Sequence, residues 1–175
     1  MAARGDAIIL IGFMGSGKSS VGRELAARTG VPLYDTDRMV TSRVGLTITD
    51  IFAQRGEEAF RDYETEALLQ LPGVPAIVVT GGGVVMRAEN VERLQELGVV
   101  VHLQADEETL FARVSRRANR PLLQTADPRA TLTELLQKRA PLYRAAADFA
   151  VDTSTLSHEQ VADAVLRGVE TLHVS

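Results

Sequence analysis

Not one of the 175 residues is cysteine, which excludes a disulfide framework and thiolate metal sites. No apolar run approaches the roughly 20 residues needed to span a bilayer, and Met1-Ala2-Ala3-Arg4-Gly5-Asp6 lacks a secretory apolar core. A soluble cytoplasmic protein that binds no membrane is expected. Positive charge is in deficit, with 19 Lys and Arg against 23 Asp and Glu and a formal net charge of -4. That balance offers no general attraction to nucleic acid, so no nucleic-acid partner is expected and the basic residues that matter should cluster around anionic ligands. Internal repeats and low-complexity stretches are missing too. The three histidines are unremarkable, His102 within a strand-like run and His158 and His173 near helix ends, and none is assigned chemistry.

What is present is 45% hydrophobic residues in a chain long enough for one well-buried α/β domain, residues 1–175, and too short for two. Strand-like and helical runs alternate, which favours a parallel sheet wrapped by helices. Ala7-Ile8-Ile9-Leu10-Ile11 reads as a buried parallel strand, and Val21, Leu25 and Ala26 recur at helical spacing until Gly30 supplies a stop. Between them, Gly12-Phe13-Met14-Gly15-Ser16-Gly17-Lys18-Ser19 fills every fixed position of the phosphate-binding P-loop in its required strand, loop and helix context. Glycines let the backbone wrap a polyphosphate with N–H groups inward, and the helix N-terminus adds positive potential. Lys18 can reach the outer phosphates and Ser19 can offer its hydroxyl to magnesium.

Further along, the pattern predicts a short strand at Leu33-Tyr34, then an unusually long helical crossover over residues 36–71 broken by Gly45 and Gly56. Strands follow at 76–80, 99–103 and 149–151, with helices around Val91 to Leu97 and after the caps Asp106 and Asp127. Ser157 and Gln160 form a capping-box pair that opens the last helix.

Four features point to chemistry. Asp35 and Asp37 bracket Thr36; if that segment is extended, both carboxylates point the same way at a carboxyl end of the sheet, one for magnesium and one for the proton of an attacking hydroxyl. An ordinary Asp-rich turn or N-cap explains the same spacing. The later strand ends in Thr80-Gly81-Gly82-Gly83, whose glycines leave backbone amides open to a ligand, although they also suit a flexible turn. Glu64 sits on the apolar stripe of Phe60, Ala67 and Leu71 with Arg61 beside it, either as a structural pair or to orient Arg61 toward an anionic substrate. Arg139 interrupts the inward stripe of Leu132, Leu136 and Tyr143, so it should face a pocket or a buried acid, and with Arg61 it could fork a carboxylate or phosphate. Finally, Arg113, Arg116, Arg117 and Arg120 crowd a loop-like stretch, predicting a mobile lid that closes over a nucleotide; a solvated basic face is the alternative.

The ordered set Gly12 to Ser20, Asp35-Thr36-Asp37, Ile48 through Phe52, Gly56, Glu57, Phe60, Arg61, Glu64, Gly81-Gly82-Gly83, Arg120-Pro121-Leu122-Leu123 and Arg139-Ala140-Pro141-Leu142-Tyr143 resembles the shikimate kinase family along nearly the whole chain. The resemblance implies an α/β, three-layer P-loop kinase fold with a five-stranded parallel sheet in order 2-3-1-4-5. It implies ATP-dependent phosphorylation of the shikimate 3-hydroxyl, in the chorismate route to aromatic amino acids. ATP would be held by Gly12, Gly15, Ser16, Gly17, Lys18, Ser19, Ser20, Arg113, Arg117 and Arg120, and Mg2+ by Ser19 and Asp35. Shikimate would lie against Asp37, Arg61, Gly81, Gly82, Gly83 and Arg139, with Lys18, Asp37 and Arg120 catalytic. Residues 36–71 would form the substrate-binding helical segment and 113–124 the lid of a monomer. Only Ala118 and Asn119 separate Arg117 from Arg120, so which of Arg113, Arg116 and Arg117 packs against adenine stays open. A gluconate kinase is the alternative acid kinase, against which the triple glycine and the Ile48 to Glu64 segment argue. A non-catalytic nucleotide switch is a third reading, opposed by intact Lys18, Ser19, Asp35, Asp37 and Arg120 and by the lack of an Asn-Lys-x-Asp guanine signature.

Overall fold

A computed structural model describes residues 4–117 and 120–174. Five strands, β1 (Ala7–Ile11), β2 (Leu33–Asp35), β3 (Ile77–Val79), β4 (Gly98–Gln104) and β5 (Phe149–Asp152), form one parallel sheet in the order β2-β3-β1-β4-β5. Seven helices connect and cover them: α1 (Lys18–Thr29), α2 (Thr36–Val44), α3 (Ile48–Leu69), α4 (Ala88–Leu97), α5 (Glu107–Ser115), α6 (Pro128–Ala146) and α7 (His158–Val174). This is the expected 2-3-1-4-5 arrangement.

The run Ala7 to Ile11 is apolar throughout because both faces of its strand are covered. The two-residue period of a strand sends Ala7, Ile9 and Ile11 into a core shared with α4 and α6, and Ile8 and Leu10 into a second core shared with α1 and α7. Leu10 is fully buried, and truncation to Ala would cost about 2–5 kcal/mol. Because β3 and β4 flank β1 on opposite sides, the chain reverses direction around β1, and a crevice opens at its carboxyl end.

Helix boundaries follow local chemistry. The Asp106 and Asp127 side chains accept from the Thr109 and Ala130 amides, and Ser157 and Gln160 cap each other reciprocally. Gly30 and Gly45 end α1 and α2 in left-handed conformations. Gly56 is the instructive glycine: at φ 83 and ψ 170 it breaks α3, so the half carrying Arg61 and Glu64 takes its own direction. A side chain there would meet open space, so the requirement is the backbone angle itself.

Candidate active site

The loop from Gly12 to Gly17 leaves the carboxyl end of β1 and turns into α1, whose N-cap Gly17 provides no side-chain cap. The first amides of α1 therefore face the crevice as donors, suited to an anion. Lys18 Nζ folds back onto the carbonyls of Gly12 at 2.7 Å and Phe13 at 3.0 Å, and approaches Ser16 Oγ at 3.5 Å. Burial lowers its pKa to about 8, Asp37 opposes that shift, and Arg120 and Arg139 reinforce it. A cation so crowded gains from an incoming polyphosphate.

A cavity of about 340 Å³ is lined by this loop, Ser19, Ser20, Asp35, Asp37, Gly81, Gly82, Arg113, Arg116, Arg117, Arg120 and His158. A second hollow of about 670 Å³ runs over the turn between α2 and α3 to Pro121. Both hollows include Asp37 and Arg120, the residues where a donor in one and an acceptor in the other would meet.

The premise that Asp35 to Asp37 is extended is wrong. β2 ends at Asp35, which caps α2 by accepting from the Arg38 amide at 3.2 Å, and Asp37 lies in the first helical turn. Both carboxylates still line the same cavity, since two residues from the cap, within the first turn, do not carry Asp37 out of the crevice. Burial, and then the neighbouring Asp35, raise the Asp37 pKa, with Lys18, Arg61 and Arg120 opposing. Its Oδ1 is buried and has no hydrogen-bond partner, leaving a basic oxygen free at the junction of the two hollows.

Arg113 also departs from expectation: it lies within α5, not on a loop. Its guanidinium bonds Gly15 O at 3.1 Å, Thr153 Oγ1 at 3.0 Å and Thr153 O at 2.8 Å, which fixes it against the phosphate loop. A lid can start only after Ser115. Arg116 and Arg117 follow the helix; the expected spacer Ala118-Asn119 lies outside the described residues. Arg120 is partly buried, its Nε has no partner, and burial followed by Arg117 lowers its pKa.

The triple glycine serves close approach. A Cβ on Gly81 would sit 2.6 Å from Glu64 Oε1 and 2.8 Å from Asp37 Oδ1, and one on Gly83 would sit 2.3 Å from Arg61 Nη1. None of the three has positive φ, so at Gly81 and Gly83 contact and not backbone conformation excludes larger residues, while a Cβ on Gly82 would make ordinary contacts at 3.5 Å. Arg61 Nη1 donates to Glu64 Oε2 at 3.0 Å and Nη2 to Glu57 at 3.3 Å. Glu64 is wholly buried; burial raises its pKa and Arg61 opposes the rise. The structural Arg61–Glu64 pair thus exists, and it presses the Arg61 guanidinium against Gly83.

Arg139 completes the group. It is 2% exposed, forms no salt bridge among the described residues, and its Nε has no hydrogen-bond partner. Its guanidinium lies over the Phe13 ring at 5.9 Å, and Nη1 is 3.5 Å from where a Gly82 Cβ would be. Burying a guanidinium with no carboxylate in contact is costly, so the surroundings of Gly82 suit an anion.

Three contacts lay outside the sequence reading. Thr153 donates to Ser16 O at 3.1 Å and accepts from Arg113, tying β5 to the phosphate loop. Its position just past a strand's carboxyl end was the available signal. The Tyr143 hydroxyl donates to Gly82 O. His158 lines the cavity beside the phosphate loop, with no signal in its surroundings to mark it.

A family model described as shikimate kinase matches residues 14–170. A shikimate kinase of Thermodesulfovibrio yellowstonii is 45% identical over 166 residues, 94% of this chain and 95% of that protein. The structure of a shikimate kinase from Acinetobacter baumannii in complex with shikimate superposes with a TM-score of 0.93 at 36% identity, covering 97% of this chain and 96% of that one. A gluconokinase from Sinorhizobium meliloti, at 20% identity and a TM-score of 0.53 over 98% of both chains, shares the fold.

Proposed function

The chain belongs to the shikimate kinase family and transfers a phosphoryl group from ATP to the 3-hydroxyl of shikimate, a step toward chorismate and the aromatic amino acids; we propose the following division of work among its residues. The observation that carries it is the buried Arg139 guanidinium beside Gly82, which forms no salt bridge among the described residues, with Arg61 held on the same glycine segment. Two guanidiniums suit the carboxylate of shikimate, which would give Arg139 a close anionic partner in addition to the attraction of Glu64 and the contact with Tyr143. Glu64 acts by holding Arg61 in place.

The polyphosphate of ATP lies along Gly12, Gly15, Ser16, Gly17, Ser19 and Ser20, drawing Lys18 off the loop carbonyls onto the outer phosphates. Arg113 and Arg117 flank the nucleotide, and Arg120 reaches the transferring group from the junction of the hollows. The shikimate hydroxyl gives its proton to Asp37 Oδ1 as its oxygen bonds the γ-phosphorus and the bond to the ADP oxygen breaks. Lys18 and Arg120 stabilise the charge spread over the phosphoryl oxygens.

Ser19 and Asp35 fit a magnesium ion that arrives on the nucleotide. No cluster of three acidic or histidine side chains stands ready for a metal among the described residues, and Mg2+ commonly takes one or two protein oxygens beside phosphates and water. Bound there, the ion would supply charge neutralisation for the phosphates. Residues 36–71 receive the acceptor and the segment after Ser115 closes over ATP, within one kinase domain that acts as a cytoplasmic monomer. No helix among the described residues is long and apolar enough to cross a membrane.

ADP formation by the purified protein, measured without acceptor, with shikimate, with its methyl ester and with gluconate, tests the reading. Turnover should require shikimate, and equal turnover of the methyl ester would refute the carboxylate fork.

A further inference from the structure

A cavity of about 360 Å³, separate from the two hollows above, lies between the carboxyl ends of β4 and β5 and the helices α5 and α6. Phe13, Leu110, Leu136, Ala140 and Tyr143 wall it with apolar surface. His102 belongs to the same wall. It is 6% exposed, stacks on the Tyr143 ring with centroids 4.9 Å apart, and its Nδ1 has no hydrogen-bond partner. Burial, with Lys18 and Arg144 nearby, lowers its pKa to about 4, so it is a neutral imidazole at pH 7. The transfer reaction uses none of this.

Three charged residues stand at this cavity: Arg144, Asp106 and Asp152. Asp106 already caps α5 through the Thr109 amide, and Asp152 accepts from the Ser154 amide at 2.8 Å. One guanidinium and two carboxylates give no preference for an anion. The volume falls within the usual range for small-molecule sites, and apolar walls with one unsatisfied polar atom are their usual composition. A buried polar atom without a partner favours whatever ligand supplies one.

We propose that this cavity binds a small uncharged aromatic molecule carrying one hydroxyl or amide group, that a turn of the His102 ring brings its enclosed, partnerless Nδ1 onto that group, and that occupancy is transmitted to Gly82 through Tyr143. The route is short. Tyr143 stacks on His102 and donates its hydroxyl to the Gly82 carbonyl. Phe13 lines the cavity while Arg139 lies over its ring. A ligand here therefore touches two residues whose other contacts are the acceptor-side Gly82 and Arg139.

Phenol is the probe, titrated up to about 20 mM into the full-length protein while backbone amide and histidine ring resonances are followed by NMR. A fragment of this size is expected to bind with a Kd on the order of 1 mM, well short of the ceiling for the best small ligands. The His102 ring nitrogens and the Gly82 amide should shift along one saturating curve. Toluene, which fills the same shape without a hydroxyl, should bind about tenfold more weakly. Ala140→Leu, which occupies the cavity, and His102→Phe, which keeps the ring and removes the nitrogen, should each weaken phenol about tenfold or more. Having two independent variants keeps the test decisive if either fails to fold by circular dichroism. Absence of saturating shifts, or unchanged affinity in a folded variant, overturns the site. Equal binding of toluene overturns the hydrogen bond, and a Gly82 amide that stays fixed while His102 shifts overturns the transmission.

Discussion

Arg139→Met offers a prediction in which stability and binding move in different directions. Arg139 is 2% exposed and has no carboxylate within 4.0 Å among the described residues, so removing its charge lifts a desolvation burden instead of breaking an ion pair. Replacing buried charges by apolar groups of similar volume is often neutral or stabilising by about 1–4 kcal/mol. Against this stand lost contacts with Tyr143 and Phe13 and the electrostatic support that Arg139 gives Glu64, together about 1–2 kcal/mol. The net expectation is a folding stability within about 1 kcal/mol of the parent, or higher. Shikimate binding instead loses one arm of a charge-assisted fork, about 3–4 kcal/mol for two hydrogen bonds, which is about 10² to 10³ in Kd. Nucleotide affinity should change less than shikimate affinity, because Arg139 Nη1 lies beside Gly82 and the residue meets the phosphate loop at the Phe13 ring. Urea unfolding combined with calorimetric titration of shikimate and of an ATP analogue measures all three. A stability loss beyond about 3 kcal/mol would mean that Arg139 is structurally paired, most directly with Glu64. A shikimate loss below tenfold would remove it from the acceptor site.

Other expectations follow from the same geometry. Lys18→Met should abolish turnover yet raise stability at pH 7 by up to about 3 kcal/mol, the equivalent of a pKa lowered from 10.5 to about 8. The sign is fixed by proton count: between pH 8 and 10.5 the unfolded chain holds a proton that the folded one has lost, so parent stability from this group rises with pH there, and the variant should lack that rise. Nucleotide binding at pH 8 should take up about half a proton, seen as buffer-dependent heat in calorimetry, and no dependence would show that phosphate does not engage Lys18. Asp37→Asn should lower kcat by about 10² to 10⁴ while shikimate binding survives; a raised KM at unchanged kcat would make Asp37 an orienting group only. Hydrogen exchange over residues 116–124 should slow on adding ATP analogue and shikimate, while α5 around Arg113 is already protected; unchanged exchange would make the segment a static basic face. His102 resists protonation down to a pKa of about 4, so parent stability should rise from pH 4 to 6.5, and His102→Phe should flatten that rise in acid unfolding curves.

Much of this was legible along the chain because helices and strands are short-period structures. A continuous apolar run marked Ala7 to Ile11, caps marked the starts at Asp106, Asp127 and Ser157, and Glu64 and Arg139 stood out as charges on apolar stripes. The phosphate loop declared itself because all its parts are adjacent in sequence. Other features depended on distance in space. The Asp35 to Asp37 spacing cannot say where β2 hands over to α2, since that depends on packing of α2 against α3 as well as on the cap. Nor can a cluster of arginines show that Arg113 is helical and tied to Gly15 and Thr153, residues 98 and 40 positions away. Three glycines in a row looked like freedom for a ligand, and only the folded chain shows Asp37 from α2 and Glu64 and Arg61 from α3 pressed against Gly81 and Gly83. Sequence thus determined which residues carry charge into the interior, because burial is written in local periodicity. Which of those charges meet, and which is left without a partner, was decided by the sheet order that brings the ends of β1, β2 and β3 together.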